Sequence, residues 1–580
     1  MEDTKKDNDR IVDAEKEWND KVVNPALKRF NLEANPQKFY TPRDVTNFDF
    51  LEKVGFPGSY PYTAGPYAFL PLQAGQKGGG HIPSGPGMKR AGRYSGFGTS
   101  EDYRDYHKQM QAIGAKGGPN IAFDLPTQCG YDSDSDQASG EVGKVGVCVD
   151  TLRDFETIYE AFTGENDINR IASNFTINAP ANIIIAMYVA LAEKRGIPME
   201  KLRATPQNDI LKEYIGRGTY IFPPEHSMRM VRDSIVFFTK YLPHVNINSI
   251  GGYHMREAGC TRNQDLAFSM ANAAAYLQLG IDAGLDIDSF APKVTFNSFG
   301  GSMEFYHEVA FQRATRRMWA KLLKNRFGAK NPRSMLIRLP MGAHIGFSDT
   351  TIQRPLNNLT RSIVGGMAAA MSGSAPNVQP PFDEALGLGW SMEAIQLSED
   401  AGRILQLESK LCDVADPFAG SYFMEALTDE IEEAAWKGLN KIDSLGGAAA
   451  AIEYMRGEVA KSAYERQQRI EAGEDLIIGV NCYTGDNEIE VSVNRSVEHP
   501  YDATKREMAE QHQLARLAEV KRTRNSKDVT RHLGELESAA KNEETNLFPL
   551  IVECVKSYAT IQEICDVLRN IFGEYKASSM

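Results

Sequence analysis

The chain has 580 residues, 42% hydrophobic and 24% charged, with a formal net charge of −13. That composition is globular, and the length exceeds one ordinary domain, although a large barrel can absorb about 250 residues as one unit. The acidic balance argues against a nucleic-acid partner, which would want a basic face, and no apolar run of about eighteen residues exists to span a membrane.

The first residues, Met1-Glu2-Asp3-Thr4-Lys5-Lys6-Asp7, hold no apolar stretch, so no secretory signal is expected and the chain reads as cytoplasmic. Cysteines 129, 148, 260, 412, 482, 554 and 565 are dispersed, without a Cys-x-x-Cys pair, and suit reduced thiols packed as small hydrophobes. Residues 1–45 are charged and predict a helix over Ile11–Arg29. Residues 51–93 are loop-rich. From about residue 100 strand, loop and helix repeat. Predicted strands are Ile121–Leu125, Asn174–Asn178, Leu202–Thr205, Val245–Ile250, Val294–Asn297, Ser334–Leu339 and a weaker one ending near Ser374. Helices are predicted between them, at Ile183–Lys194, Met228–Tyr241, Asn263–Ala283 and Glu308–Phe327. Alternation at roughly 30–50 residues points to βα units around a parallel sheet. Seven or eight units fit a closed (β/α)₈ barrel better than a doubly wound sheet, and no Gly-x-Gly-x-x-Gly supports a dinucleotide fold. Beyond residue 430 the pattern is helical, from Thr428–Leu445 through Tyr501–Lys521 to Asn546–Lys556 and Thr560–Tyr575. The expected division is an N-terminal extension, 1–50, touching another subunit; an α/β barrel, 51–430; and a helical region, 431–580.

Four segments place hydrogen-bonding side chains at every second position, where a buried strand carries Val, Leu or Ile. They are Asn174-Phe175-Thr176-Ile177-Asn178, Thr205-Pro206-Gln207, Val245-Asn246-Ile247-Asn248 and Val294-Thr295-Phe296-Asn297. Period two is one face of a strand. Nine such side chains sealed in a core without partners would cost about 1–3 kcal/mol each, a sum rivalling the whole stability of a domain, about 5–15 kcal/mol. The polar face is therefore expected to meet water or a ligand. A barrel lined this way, instead of by branched apolar layers, would open an axial tunnel for a long, flexible, polar ligand. The alternative is that these residues cap helices in the strand–helix loops.

Arg217 ends the segment Gln207–Arg217, which leaves a polar strand and enters a short helix. Its guanidinium suits a bidentate grip on a carboxylate; it can equally pair with Glu213, four residues earlier. Gly251-Gly252-Tyr253-His254-Met255 follows another polar strand, on the side where barrels build active sites. His254 there can donate to or protonate a carbonyl oxygen, or sit as a satisfied core histidine. Tyr131-Asp132-Ser133-Asp134-Ser135-Asp136 begins like a calcium loop and fails, with Gln137 at the required glycine and Gly143 at the bidentate glutamate. Zinc-peptidase, Walker and nucleophile-elbow motifs are absent, and no metal site is expected.

Ile121-Ala122-Phe123-Asp124-Leu125-Pro126-Thr127-Gln128, Gly130–Asp134, Gln207–Arg217 and Gly252–Gly259 together resemble the methylmalonyl-CoA mutase family. So do Phe382-Asp383-Glu384-Ala385-Leu386-Gly387 and Ala415–Tyr422, in the same order over residues 95–485. The resemblance implies a (β/α)₈ barrel threading coenzyme A down its axis, with adenosylcobalamin across the barrel end and the pantetheine arm on the polar wall. It also implies an isomerase, in which a radical abstracts hydrogen from the acyl group and the thioester group migrates to the neighbouring carbon. By the same resemblance His254 would bond the thioester carbonyl, Tyr94 would lie between substrate and cobalamin, and Arg217 would clamp a carboxylate of the acyl group. Tyr253, Glu384 and Gln128 would face the cofactor. Tyr67, Asn120, Asn174, Thr176, Thr205, Gln207, Asn246, Lys293 and Thr295 match positions lining coenzyme A or substrate.

Relatives acting on uncharged acyl groups such as isobutyryl generally carry glutamine where Arg217 stands. Arg217 and Tyr94 thus imply methylmalonyl- or succinyl-CoA, or a bulkier substituted malonyl- or succinyl-CoA. The alternatives are an isobutyryl-CoA-type mutase and a non-catalytic structural subunit; retention of Tyr94, Arg217 and His254 speaks against the second. The chain departs from the family after Gly65-Pro66-Tyr67-Ala68, where a glycine-rich insertion, Gly75–Arg90, offers Lys89 and Arg90 to a phosphate. Ala375 and Pro380 replace a family glutamine and asparagine. The Asp-x-His-x-x-Gly motif of cobalamin-binding domains is missing, and the helical C-terminal region is short for such a domain. A separate small cobalamin-binding subunit, in a hetero-oligomer with a barrel dimer, is expected.

Overall fold

The computed structural model describes residues 2–34, 38–45, 48–68, 95–112, 117–297, 299, 301–338, 344–386, 391–485 and 503–577. Tyr94 and the Gly75–Arg90 insertion lie outside them. β1 (Asn120–Ala122), β2 (Ser173–Thr176) and β3 (Ala204–Pro206) form one parallel sheet, and β4 (Asn248–Ile250) pairs in parallel with β5 (Val294–Phe296). The two sheets are joined, because Val245 bridges Ala204, while Asn246 N and Ser249 N donate to Ala204 O and Gln207 O, each at 2.8 Å. At the flanks Ser95 bridges Ile121, and Phe296 N donates to Arg338 O at 3.0 Å. Segments from Ser95 to Arg338 thus lie side by side in chain order. Parallel neighbours need crossovers, and helices Ala181–Lys194, Pro224–Tyr241, Arg262–Asp282 and Phe305–Lys321 occupy the connections.

Four expectations need correction. The described part of the predicted strand Ser334–Leu339, up to Arg338, is not a strand: Asn331 caps a helical turn, Pro332–Met335, that Pro332 opens, and only the stretch around Arg338 meets β5. No strand forms near Ser374, which lies in a bend after helix Asn357–Met371. The predicted strand Ile121–Leu125 ends early, because Asp124 accepts from Thr127 N and starts the turn Leu125–Gln128. The N-terminal helix is longer than expected, running from Glu2 to Phe30 through a π turn at Asn19–Val23. All seven cysteines are unpaired.

The apolar faces of the strands, with Ile121, Phe123, Phe175, Ile177 and Ile247, form the core with helix Ala181–Lys194. That helix is buried at every position from Ala181 to Ala192. A helix apolar all round needs cover on both sides, and helix Phe548–Lys556 of the C-terminal region packs on its outer side. Arg229 ties this outer layer down by donating to Ala540 O at 2.7 Å, at the end of helix Ser526–Ala540, and to Thr545 O at 3.2 Å in the loop that follows.

A second seam joins helix Phe305–Lys321 to helix Tyr422–Ser444. Arg313 NH2 bonds Glu425 at 2.7 Å and its Nε bonds Asp416 at 3.2 Å, all three groups being buried. Arg317 likewise meets Glu432 and Asp429, and Arg316 donates to Tyr62 O and Thr63 O. Burial pushes Asp416 and Glu425 up against the pull of Arg313. Arg313→Met strands two buried carboxylates, and we expect a loss of about 3–5 kcal/mol, read as a lowered urea midpoint. Arg313→Lys, lacking the planar fork, should recover only part of it.

Candidate active site

The polar face divides into two ends. At the starts of the strands a row crosses the sheet: Asn120 lies in register with Asn174, and Asn174 with Thr205, whose Oγ1 accepts from Asn246 Nδ2 at 2.7 Å. Arg338 NH1 continues the row, donating to Asn246 Oδ1 at 3.3 Å and to Pro292 O at 2.7 Å. Tyr67 lies close enough to Arg338 to act on its charge. Asn120, Asn174, Thr176, Thr205 and Asn246 are all partly exposed, while the apolar residues between them are buried. Lys293 opens β5, its amine pushed down by burial, and its charge and that of Arg203 both act on His244. Cations gather at this end.

Not every expected polar residue stays on that face. Asn246 N and Ser249 N donate to the same neighbouring strand, a step of three residues where an alternating strand takes two. Asn248 therefore leaves the alternation, and its side chain is fully buried with neither amide atom bonded among the described residues. Thr295 is buried too, its hydroxyl donating to Asn248 O at 2.7 Å.

At the strand ends, the turn after β3 supplies the densest chemistry. Asn208 takes a left-handed conformation (φ 44°), a region that asparagine tolerates, and its Nδ2 bonds Ile247 O and Ser234 Oγ, each at 3.1 Å. The chain then enters a π turn, Glu213–Arg217, closed by Gly218; such turns recur at functional sites. Gly216 lets it approach helix Gly252–Glu257, since a β-carbon there would lie 3.2 Å from Ala258 Cβ and 3.3 Å from Met255 Cα.

Glu213 is fully buried. Its Oε1 accepts from Lys212 Nζ, Asn178 Nδ2 (2.7 Å) and Arg217 NH1 (3.2 Å), and its Oε2 from Thr219 N (3.0 Å) and Thr219 Oγ1 (2.6 Å). Arg217 NH1 also reaches Gln128 Oε1 at 2.7 Å, and Asn178 Nδ2 reaches Gln207 Oε1 at 2.9 Å. Arg217 thus makes the pair with Glu213 that its four-residue spacing offered, and its side chain remains partly exposed. Burial opposes ionisation of Glu213, but the Lys212 and Arg217 charges win and hold it below the usual range; burial pushes Lys212 down despite Glu213. Asp209 anchors the turn by accepting from Gly251 N at 2.9 Å and Tyr276 Oη at 2.7 Å.

His254 follows β4 and is partly exposed, its ring 3.8 Å from that of Tyr253. Burial, then the Lys212 and Arg217 charges, hold it well below the usual histidine range, so the imidazole is neutral at pH 7. Its helix starts closely because Gly252 has no side chain; a β-carbon there would lie 2.1 Å from Asp265 Oδ1. Glu257, at the other end of that helix, accepts from Phe347 N and Ser348 N, each at 2.9 Å. Phe347 in turn lines a groove of about 440 Å³ with Thr350, Ile352, Glu384, Ile477 and Val480.

Gln128, Gln207, Arg217 and His254 come together as expected, Tyr253 stands beside His254, and Glu384 lies in the adjoining groove. Lys212, Glu213, Asn178 and Thr219 were missed as site residues. The adjacent opposite charges of Lys212 and Glu213 inside an otherwise apolar helical turn were the available signal. Glu213→Gln leaves Lys212 and Arg217 without their counter-charge, and we expect a loss of about 3–5 kcal/mol in urea unfolding. Adding Lys212→Met should restore part of it; an unaltered midpoint in Glu213→Gln would show that the buried pair is not formed.

Comparison with known proteins gives a concordant picture. The family model for methylmalonyl-CoA mutase matches residues 31–574. The chain is 37% identical to the 2-hydroxyisobutanoyl-CoA mutase large subunit of Aquincola tertiaricarbonis, across 93% of this chain and 91% of that one. It is 36% identical to the methylmalonyl-CoA mutase of Escherichia coli (93% and 71%) and 36% identical to the human mitochondrial methylmalonyl-CoA mutase (93% and 68%).

Proposed function

This chain belongs to the methylmalonyl-CoA mutase family of isomerases, and from that premise we propose that it is the large, substrate-binding subunit of an adenosylcobalamin-dependent mutase acting on a carboxylated acyl-CoA. The observation that carries the reading is the guanidinium of Arg217, partly buried on the polar wall near a neutral His254. Beyond its pairing with Glu213, a cation there offers a counter-charge to a carboxylated acyl group that an uncharged one would not use.

In this reading the segments from Ser95 to Arg338 belong to a closed (β/α)₈ barrel, residues 51–430, whose polar row faces an axial tunnel. The 1–50 extension and the 431–580 helical region flank it. Coenzyme A phosphates meet the cations Arg338, Lys293 and Arg203 at the strand starts. Tyr67, Asn120, Asn174, Thr176, Thr205 and Asn246 line the pantetheine arm. The acyl head reaches Gln207, Arg217 and His254, and Tyr94 lies between it and the cofactor. Arg217 grips the free carboxylate. His254 donates to the thioester carbonyl while keeping its proton, fixing the group that migrates.

Tyr253, Glu384 and Gln128 face the cofactor. The groove beside the His254 helix fits an adenosyl group, with the Glu384 carboxylate for its polar edge and Ile352, Ile477 and Val480 for its apolar face. When bound, adenosylcobalamin supplies the radical chemistry; the chain's own part is to hold the acyl group still and keep water away. A small subunit holds most of the cobalamin, in a hetero-oligomer built on a barrel dimer in the cytoplasm. No helix among the described residues is long and apolar enough to cross a membrane.

Reconstitution with a small cobalamin-binding subunit and a panel of thioesters, with products read by mass spectrometry, tests the reading. Malonyl- and succinyl-type esters should isomerise, while isobutyryl- and 2-hydroxyisobutanoyl-CoA should not; the reverse preference overturns it. The chain alone with adenosylcobalamin should turn over little, and full activity without a partner would remove the two-subunit assembly. Arg217→Gln should lower kcat/KM on carboxylated esters by about two to three orders of magnitude, the equivalent of about 3–4 kcal/mol.

A further inference from the structure

β1 and β3 are not neighbours, because β2 lies between them. Strands two apart are separated by about 9–10 Å, and no ladder bond sets the spacing of the loops that leave them. Yet those two loops jointly hold one guanidinium. Arg217 NH1 donates to Gln128 Oε1 after β1, at 2.7 Å, and to Glu213 Oε1 after β3, at 3.2 Å. Gln128 has little freedom to follow a displaced arginine, since its Nε2 donates to Phe123 O at 2.6 Å. The gap between the loops therefore decides where Arg217 stands.

Helix Ile561–Phe572 and the segment after it span that gap. On the β1 side Arg569 donates to Cys129 O at 2.7 Å and to Gly130 O at 3.1 Å, the two residues that follow Gln128. Gln562 N donates to Asp132 Oδ1 at 3.0 Å, and Asp132 N to Gln562 Oε1 at 2.9 Å. On the β3 side Tyr575 N donates to Ile221 O at 3.0 Å. Its ring stands edge-on to Tyr214 and to Tyr220, each with centroids 4.9 Å away, and those two stack on one another at 5.1 Å. Tyr214 lies inside the π turn between Glu213 and Arg217, and Tyr220 follows Thr219, which donates twice to Glu213. All three parts meet at Gly130, whose φ is 69°. A β-carbon there would lie 2.6 Å from Cys565 Sγ and 2.7 Å from Ile221 Cδ1. One helix and its tail thus touch both loops within a few residues of the groups that hold Arg217.

We propose that Arg569 and Tyr575 are positioning residues for Arg217: they set the distance between the loops carrying Gln128 and Glu213, and so the place of the guanidinium that selects a carboxylated acyl group. The inference rests on the reading of Arg217 as a carboxylate clamp. It gives the helical region beyond the barrel a part in substrate choice.

Calorimetric titration of the full chain with succinyl-CoA and with propionyl-CoA, which lacks the free carboxylate, separates the clamp from coenzyme A binding. Arg569→Met and Tyr575→Ala should each raise the Kd of succinyl-CoA about tenfold, as a small displacement of a gripping group does, and leave that of propionyl-CoA unchanged. A loss of stability alone weakens both esters alike and does not move their ratio. Arg569→Lys, which keeps a donor for one carbonyl, should recover part of it. An unaltered ratio in the folded variants overturns the proposal. Tyr575 is partly exposed and lies outside the helices, so Tyr575→Ala carries the test where Arg569→Met does not fold. A second measurement needs no ligand. Deuterium exchange at Thr219 N–H, which bonds Glu213, should quicken about tenfold in either variant, with helix Ala181–Lys194 unchanged. Should the unaltered chain bind both esters equally, the clamp itself falls; quickened exchange would then leave the positioning standing, and unchanged exchange would remove it too.

Discussion

Glu213 accepts bonds from Asn178 past the end of β2 and from Lys212 and Thr219 in the turn after β3, and through Arg217 it reaches Gln128 after β1. Three strand ends are therefore held at fixed spacing by one carboxylate in a low-dielectric setting, where each such bond is stronger than in water. An unpaired carboxylate at that depth would be prohibitive. Five donors, two of them cationic groups, are what allow it to be there. The wall behind His254 inherits its rigidity from this convergence.

The same arrangement shapes the electrostatics of the pocket. Lys212 and Arg217 bring positive charge against Glu213 and Asp209, so the cluster is close to balance while its cations lie nearest the imidazole. A histidine so placed stays neutral across the physiological range. Away from the pocket, Arg313 and Arg317 meet Glu425 and Glu432 in an equally buried seam that joins two helices. What separates the two networks is access: Arg217 and His254 are partly open to the pocket, whereas Arg313 is sealed.

Polarity also runs along the strands. Amides and hydroxyls form the row from Asn120 to Asn246, cations mark its start, and the balanced cluster of Glu213 with the neutral His254 lies past its end. A ligand with an anionic tail, an amide-rich arm and a reactive head matches that order. The structure places these three regions on one continuous set of parallel segments, which is why residues far apart in sequence, Thr205, Asn246 and Arg338 among them, meet by single hydrogen bonds.

The period-two polarity of Asn174, Thr176 and Thr205 was legible in the sequence, because side chains on a strand alternate whatever the strand packs against. The strand–helix rhythm and the motifs around Gln207, Arg217 and His254 were legible for the same reason: they are local. Only the tertiary structure decided which polar residues keep to the wall. The three-residue step between Asn246 and Ser249 turns Asn248 into the core, and Asn331 with Pro332 converts the start of a predicted strand into a helical turn. The Glu213–Arg217 pair was local, four residues apart, but the meeting of Asn178 and Gln128 with it was decided by the fold, since those two come from other strand ends and no local spacing encodes the distance.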